Sequence, residues 1–342
     1  MEHISGKSLK EIKKWMDDNG FPKFCASQVV NWIYQKKVFS FDEMTNLSKS
    51  LREKLKESFT LPALKHVKEE VSQDRQTIKF LFECTDGKKV EAVLIYSDQR
   101  RTVCVSSQVG CPARCAFCAS GKEGLFRNLT SSEIIEQVLL INKFLEKDNE
   151  KVTHIVFMGM GEPLENYDSV VRTIKLLISK DHLNLSQRRV TVSTVGVVEK
   201  ILALKEESFR VNLVLSLHAP NQHIRKKIIP YARKYPLEDV LKAVDKYSRE
   251  TKRDITFEYT LIENINDKLE HAEELVKLLE KKHCCVNIIP YNPVLGLNLR
   301  RPQVEQIKAF VNKLKSNNIV TTWRYTKGKD IQAACGQLAL KK

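Results

Sequence analysis

From about residue 100 onward the chain repeats one pattern, a short β-branched apolar run followed by an amphipathic helical stretch. The runs fall at 102–107, 153–158, 189–194, 211–217, 255–261 and 285–290, with a weaker one at 319–324. The clearest helix starts at the capping box Thr130-Ser131-Ser132-Glu133 and carries Ile134, Ile135, Val138, Leu139 and Leu145 on its apolar side. Further helical patterns cover roughly 167–180, 197–206, 237–249, 268–282 and 302–316. Strands that alternate with helices this regularly lie parallel, which makes the chain an α/β protein. A partial barrel and an open doubly wound sheet both satisfy the pattern. In either, ligands gather at the carboxyl ends of the strands.

Those ends carry the unusual residues. After the first run comes Gly110-Cys111-Pro112-Ala113-Arg114-Cys115-Ala116-Phe117-Cys118, three thiols spaced C-x3-C-x2-C with no fourth beside them. A 4Fe–4S cluster takes four cysteine ligands, so three leave one iron open for chemistry. Structural zinc sites show two C-x2-C pairs or a pair plus two histidines, and neither follows here. Three core cysteines, or a zinc site with a distant fourth ligand, remain alternatives at this point. Met158-Gly159-Met160-Gly161-Glu162-Pro163 ends the second run; its glycines allow close backbone approach, and the Glu162 carboxylate suits an ammonium group. Without a Gly-Lys-Ser/Thr ending it is no phosphate loop. Ser193-Thr194, Ser216-Leu217-His218-Ala219-Pro220 and Pro290-Tyr291-Asn292-Pro293 end later runs. Ser193, Ser216 and Asn292 offer neutral donors and acceptors. His218 is a cluster ligand, an acid–base group or a satisfied polar residue.

Two further cysteines and one carboxylate stand apart. Cys335 lies near the C-terminus among small residues, after Lys327-Gly328-Lys329; nearby positive charge lowers a thiol pKa. Cys104 lies seven residues before the triplet. Either reads equally as a buried structural thiol, and Cys25, Cys84, Cys284 and Cys285 read as core cysteines. Glu91 interrupts the apolar run Val90 to Ile95, as an edge charge facing water or as a desolvated base.

Residues 1–60 form a small basic helical module, opened by the capping box Ser8-Leu9-Lys10-Glu11. Residues 75–97 read as a β-hairpin turning at Asp86-Gly87. The net charge of +15, from 57 Lys and Arg against 42 Asp and Glu, points to a polyanionic partner such as nucleic acid. Nine cysteines, an odd number with three clustered, indicate metal and redox chemistry in a reducing compartment. Met1 to Lys14 has no apolar stretch typical of a secretory signal, and no membrane span is visible, so a cytoplasmic protein is expected.

Together these runs resemble the RlmN-type adenine-C2 RNA methyltransferases of the radical S-adenosylmethionine (SAM) superfamily. The resemblance rests on Val90-Glu91, Cys104 to Gln108, the triplet, Arg127 to Thr130, Met158 to Asn166, Ser193 to Gly196, Ser216 to Pro220 and Ala333 to Leu338. Gln332 and Ser120 depart from it, standing where the pattern usually has Asp and Thr. It implies a partial (β/α)6 radical SAM barrel at 99–327, an N-terminal RNA-binding accessory domain at 1–60, a β-hairpin extension at 61–98 and a tail at 328–342. It further implies a 4Fe–4S cluster on Cys111, Cys115 and Cys118, with SAM held by Gly161, Glu162, Ser193, Ser216, Leu217, His218 and Asn292. Cys335 would carry the methyl group as S-methylcysteine, Glu91 would take the C2 proton, and Cys104 would release the product through a transient disulfide. The implied partners are 23S rRNA, tRNA and a flavodoxin- or ferredoxin-like electron donor, with the chain a monomer. Cfr-type C8 methyltransferases share most of these features, but Pro163 and Pro290 are RlmN-like. A non-catalytic RNA-binding metalloprotein is the alternative of another class.

Overall fold

The computed structural model describes residues 1–324 and 327–339; residues 325, 326 and 340–342, parts of the expected core and tail, lie outside the described residues. A two-residue strand, β1 (Glu2–His3), opens the chain. The capping box at Ser8 forms: the Ser8 Oγ accepts the Glu11 N–H at 3.3 Å, and the Glu11 carboxylate accepts the Ser8 N–H at 2.8 Å. Helices α1 (Leu9–Asp18), α2 (Phe24–Tyr34) and α3 (Lys49–Ser58) follow, and β2 (Phe59–Thr60) pairs with β1. Ile12, Met16, Val29, Val30, Ile33, Leu51 and Leu55 are buried, as their helical spacing predicts.

Three antiparallel strands come next: β3 (Leu64–Val71), β4 (Thr77–Cys84) and β5 (Lys89–Ser97). The last two are the expected hairpin. Gly87 takes a φ of +78° in its turn, a conformation that glycine adopts without strain. The hairpin does not stand apart, because β5 also pairs with β6 (Arg100–Cys104), the first strand of the parallel array. Glu91 therefore lies on an internal strand and is 1% exposed, which removes its reading as an edge charge facing water.

Beyond β6, a small ribbon of β7 (Gln108–Gly110) and β8 (Leu125–Asn128) encloses the cysteine triplet. The β/α units continue as α4 (Ser131–Leu145), β9 (His154–Phe157), α5 (Tyr167–Ile178), β10 (Val190–Thr194), α6 (Val198–Glu206) and β11 (Asn212–Ser216). A short helix, α7 (Gln222–Ile228), precedes α8 (Leu237–Thr251), β12 (Ile255–Leu261), α9 (Leu269–Leu279), β13 (Cys284–Pro290), α10 (Val304–Ser316) and β14 (Val320–Trp323). From β6 through β9 to β14 each strand pairs in parallel with the next in sequence. A doubly wound sheet reverses its strand order at a switch point. This sheet does not, so the partial barrel is the architecture. The weak run at 319–324 becomes β14, a full member of the sheet.

The N-terminal helices are fastened to this core through Glu136 of α4. Its carboxylate accepts the Ser5 hydroxyl at 2.6 Å and the Ala63 and Leu64 N–H groups at 2.7 and 2.9 Å. Among the described residues, no helix is long and apolar enough to cross a membrane.

Candidate active site

The triplet loop is shaped by its neighbours. Gly110 has a φ of +81°, and a Cβ there would meet the Gly124 carbonyl oxygen at 2.0 Å, so the chain can enter the loop only as glycine. The Cys111 N–H donates to that same carbonyl at 2.9 Å, and the Ala116 N–H donates to the Ile228 carbonyl of α7 at 2.9 Å. Burial, and then the neighbouring Cys118, push the Cys111 thiol up to about 12. Burial and the other two thiols push Cys115 well above the usual thiol range, opposed by Arg225. Burial also raises Cys118. Cys111, Cys115 and Cys118 line one cleft of about 840 Å³, part of it open to solvent.

The strand-end motifs form the opposite walls. Gly161, at φ +110°, packs so tightly that a Cβ would lie 2.7 Å from both the Ser107 Oγ and the Gln108 Cβ. The Glu162 Oε1 accepts the Leu164 N–H at 3.0 Å and its Oε2 the Val195 N–H at 2.8 Å. Burial nevertheless raises its pKa to about 7. The Ser193 and Ser216 hydroxyls stand 3.3 Å apart on adjacent strands. His218 lines the cleft while its Nδ1 accepts the Thr260 N–H at 2.9 Å; burial and then Arg225 lower its pKa to about 3. It is a neutral, hydrogen-bonded ring, the satisfied-polar reading, and its neutrality makes it a poor proton donor. Asn292 completes the cleft. Leu217 does not line it: its side chain is in the core, and only its carbonyl, bonded by the Arg225 Nε at 3.2 Å, faces this region.

The C-terminal tail closes the cleft. The Ala119 N–H donates to the Gly336 carbonyl at 2.8 Å, the Ser120 Oγ to the Leu338 carbonyl at 2.6 Å, and the Asn292 Nδ2 to the Cys335 carbonyl at 3.1 Å. From the hairpin side, the Lys79 Nζ donates to the Ile331 carbonyl at 2.6 Å, and the Glu91 Oε2 accepts the Ala339 N–H at 3.0 Å. Cys335 thus reaches the wall of the cleft, with its thiol open to the cavity. Burial, and then the Cys335 thiol facing it, push Cys104 up to about 12. All nine cysteines are free thiols, so no disulfide joins Cys104 to Cys335.

Sequence reasoning missed two arginines here. The cation beside Cys335 is Arg324, rather than Lys327 or Lys329: its Nη1 lies 4.0 Å from the Cys335 Sγ and 3.1 Å from the Glu258 Oε1. Burial raises the Cys335 pKa, and Arg324 opposes that rise. Lys327 turns instead to the Tyr96 carbonyl, at 2.6 Å. Arg225, fully buried, donates through Nη2 to the Val195 carbonyl at 2.5 Å. Neither arginine has a local signature, since each is defined by chain segments far away in sequence. Glu91 is brought to the tail but lies outside the cleft, paired with Lys79 at 3.4 Å.

Comparison with known proteins places this arrangement. Residues 105–279 match the Radical SAM superfamily, and residues 3–61 match the ribosomal RNA large subunit methyltransferase N-terminal domain. A relative from Protochlamydia amoebophila, a probable dual-specificity RNA methyltransferase RlmN 2, is 60% identical over 332 residues, covering 97% of this chain and 93% of its own. The chain belongs to the RlmN family. A Bacillus subtilis relative, a probable dual-specificity RNA methyltransferase RlmN, is 45% identical over 333 residues, covering 97% of this chain and 92% of its own. The crystal structure of a radical SAM methyltransferase from Sphaerobacter thermophilus superposes with a TM-score of 0.96 at 41% identity, over 99% of both chains. The fold is accordingly the radical SAM fold, and the chain is an enzyme of the methyltransferase kind.

Membership of the superfamily implies a 4Fe–4S cluster and SAM. The residues present fit both. Three thiols whose pKa values burial raises, with Cys118 raising Cys111 and both raising Cys115, are what a cationic iron–sulfur core compensates, since metal binding deprotonates its ligands. Among the described residues no three His, Cys, Asp or Glu side chains converge on a single-ion site. Three thiols spread round a cleft suit one thiolate per iron. The Arg225 Nη1 and Ser107 Oγ are buried without a hydrogen-bond partner among the described residues. Gly161, where no Cβ fits, lets a ligand approach the backbone closely.

Proposed function

We propose that the protein methylates C2 of adenosine in the peptidyl-transferase region of 23S rRNA and beside the tRNA anticodon. It would use two SAM molecules and an S-methylcysteine on Cys335. The observation that carries this is the seating of Cys335 at the wall of a cleft lined by Cys111, Cys115 and Cys118, with Cys104 behind it. Adenine C2 is not nucleophilic, so polar transfer from SAM cannot reach it, and a thiol that stores the methyl group answers that difficulty.

Cys111, Cys115 and Cys118 would hold the 4Fe–4S cluster, which would supply the single electron needed for reductive cleavage of SAM to a 5′-deoxyadenosyl radical. The protein's own residues do the rest. Gly161, Glu162, Ser193, Ser216, the Leu217 backbone, His218 and Asn292 hold SAM, with the Glu162 carboxylate taking its ammonium group. Arg324 favours the thiolate of Cys335 for its first methylation. The methylated Cys335 gives up a hydrogen atom to the 5′-deoxyadenosyl radical, and the carbon radical left on its sulfur adds to C2. Glu91 takes the C2 proton once the Ala339 N–H has moved off its carboxylate. The unpaired electron left by the addition would return to the redox group that supplied it. The Cys104 thiolate then attacks the Cys335 sulfur, the sulfur–carbon electron pair passes to the carbon, which takes up a proton to become the methyl group, and a transient disulfide remains to be reduced.

The basic helical module at 1–60 is proposed as an RNA-binding accessory domain, beside the extension at 61–98, the core at 99–327 and the tail at 328–342. The +15 charge supports an RNA partner. A flavodoxin- or ferredoxin-like donor would supply electrons to a monomeric enzyme. The test is anaerobic reaction with SAM, then mass spectrometry of nucleosides from 23S rRNA and tRNA. The expected product is 2-methyladenosine; 8-methyladenosine would overturn the C2 assignment. Cys335→Ala is expected to keep its iron and lose methyl transfer. A colourless zinc protein would end the radical reading.

A further inference from the structure

Cys335 stands on the boundary of two cavities. Ile289, Asn292 and Cys335 line both the cleft already described and a second cavity of about 1230 Å³, open to solvent. Cys111, Cys115, Cys118, Gly161, Glu162, Ser193, Ser216 and His218 line only the first. The second is lined from β5, β6, β13 and β14 and meets the first at Ile289, Asn292 and Cys335. Its apolar wall is Ile95 and Trp323, both partly buried. Arg100, exposed, and Lys327 stand at its rim. Asn287 and Thr322, hydrogen-bonded to one another, form a polar edge between them.

We infer that this second cavity seats the target purine nucleotide of single-stranded RNA, delivering it to Cys335. This rests on the reading of Cys335 as the methyl carrier. A thiol that receives a group from one substrate and passes it to another needs two open sides, and these cavities supply them. The composition of the second fits a nucleotide better than an apolar ligand. An indole and an aliphatic side chain give a flat base an apolar surface, and stacking on aromatics is how unpaired bases are held. The Asn287 amide can donate to an adenine ring nitrogen. The exposed Arg100 at the rim matches a flanking phosphate, a pairing that releases counterions and so weakens with salt. Arg324, also in this wall, is committed to Glu258 and Cys335, and Lys327 to the Tyr96 carbonyl, which leaves Arg100 as the phosphate contact.

The experiment uses the anaerobic, iron-loaded full chain and a fluorescein-labelled RNA stem-loop carrying the target adenosine in its loop. Fluorescence polarisation is read over a range of salt concentrations. Arg100→Gln, at an exposed position that spares the fold, should weaken binding several-fold and make the salt slope shallower by about 0.7. Trp323→Ala should weaken binding about tenfold without altering the slope, and Trp323→Phe should restore most of it. Iron content and SAM affinity, measured on the same preparations, should match the unsubstituted protein, which separates loss of an RNA site from damage to the cleft. If the unsubstituted protein binds RNA while Arg100→Gln and Trp323→Ala bind it equally well with an unchanged slope, this site is wrong and the proposed function stands. If the unsubstituted protein does not bind the RNA, both fall. Binding that depends on Arg100 and Trp323, with no methylation at Cys335, keeps the site and removes the methyl carrier.

Discussion

The Nη1 of Arg324 lies 4.0 Å from the Sγ of Cys335, and the same nitrogen holds the Glu258 carboxylate at 3.1 Å. A guanidinium stays charged at any working pH, so this contact always favours the thiolate against the upward push of burial. Arg324→Met should raise the Cys335 pKa further and slow its methylation by SAM about tenfold at neutral pH. The rate should recover as pH rises, because the thiolate fraction recovers. Arg324→Lys should keep part of the effect. Anaerobic single-turnover reactions, followed by mass spectrometry of the Cys335 peptide, check this; a pH profile identical to that of the unsubstituted protein would contradict it.

Lys79 and Glu91 are 4% and 1% exposed and 3.4 Å apart, and Lys79 also reaches the Glu70 carboxylate at 2.9 Å. Lys79→Met leaves a buried carboxylate without its cation, a change that typically costs about 3–5 kcal/mol. Adding Glu91→Gln should return most of that stability in chemical denaturation. It should not return RNA methylation, because an amide cannot take the proton. Methylation by the double variant would remove Glu91 from the reaction.

Glu136 supplies a pH test. Burial raises its pKa from 4.5 to about 7, against the hydrogen bonds from Ser5, Leu64 and Ala63. The folded protein therefore binds this proton more tightly than the unfolded chain does. Stability contributed by the protonated form is full below about 4.5 and is lost as pH rises through about 7. Glu136→Gln, which cannot ionise, should gain on the unsubstituted protein by up to about 3 kcal/mol across that window and hold the gain above it. Urea midpoints at several pH values measure the difference; a gap that does not change with pH would show that Glu136 does not titrate there.

At Gly161 the φ of +110° and the 2.7 Å approach to the Ser107 Oγ leave no room for a methyl group. Gly161→Ala should cost about 1–3 kcal/mol through local strain. It should weaken SAM binding at least tenfold in calorimetric titration, while RNA affinity stays within twofold. Unchanged SAM affinity would place SAM elsewhere.

Much of this was legible in the sequence because the parallel strands are buried and apolar, and the helices between them are amphipathic. The strand β3 was not: Leu64–Val71 reads Leu-Lys-His-Val-Lys-Glu-Glu-Val, and as the outer strand of the sheet it is exposed along most of its length. The seven-residue helix α7 is too short and polar to show a period. Within the site, the cysteines and glycines announced themselves by spacing. The pairing of Arg324 with Cys335 did not, because it exists only where the end of β14 meets the folded-back tail. The sealing of Glu91 by Ala339 joins residues 248 positions apart, a distance at which no local pattern carries information.

That closure by the tail also fixes an order of events during synthesis. The loop bearing Cys111, Cys115 and Cys118 leaves the ribosome roughly 200 residues before Cys335, about 10–40 s earlier at usual rates of translation. Until the last segment arrives, the contacts to Ala119, Ser120 and Asn292 are unmade, and the cleft lacks the wall that the tail provides. With the cluster placed on these thiols as proposed, iron and sulfide would have a period of free access to them that closes when the segment bearing Cys335 folds back.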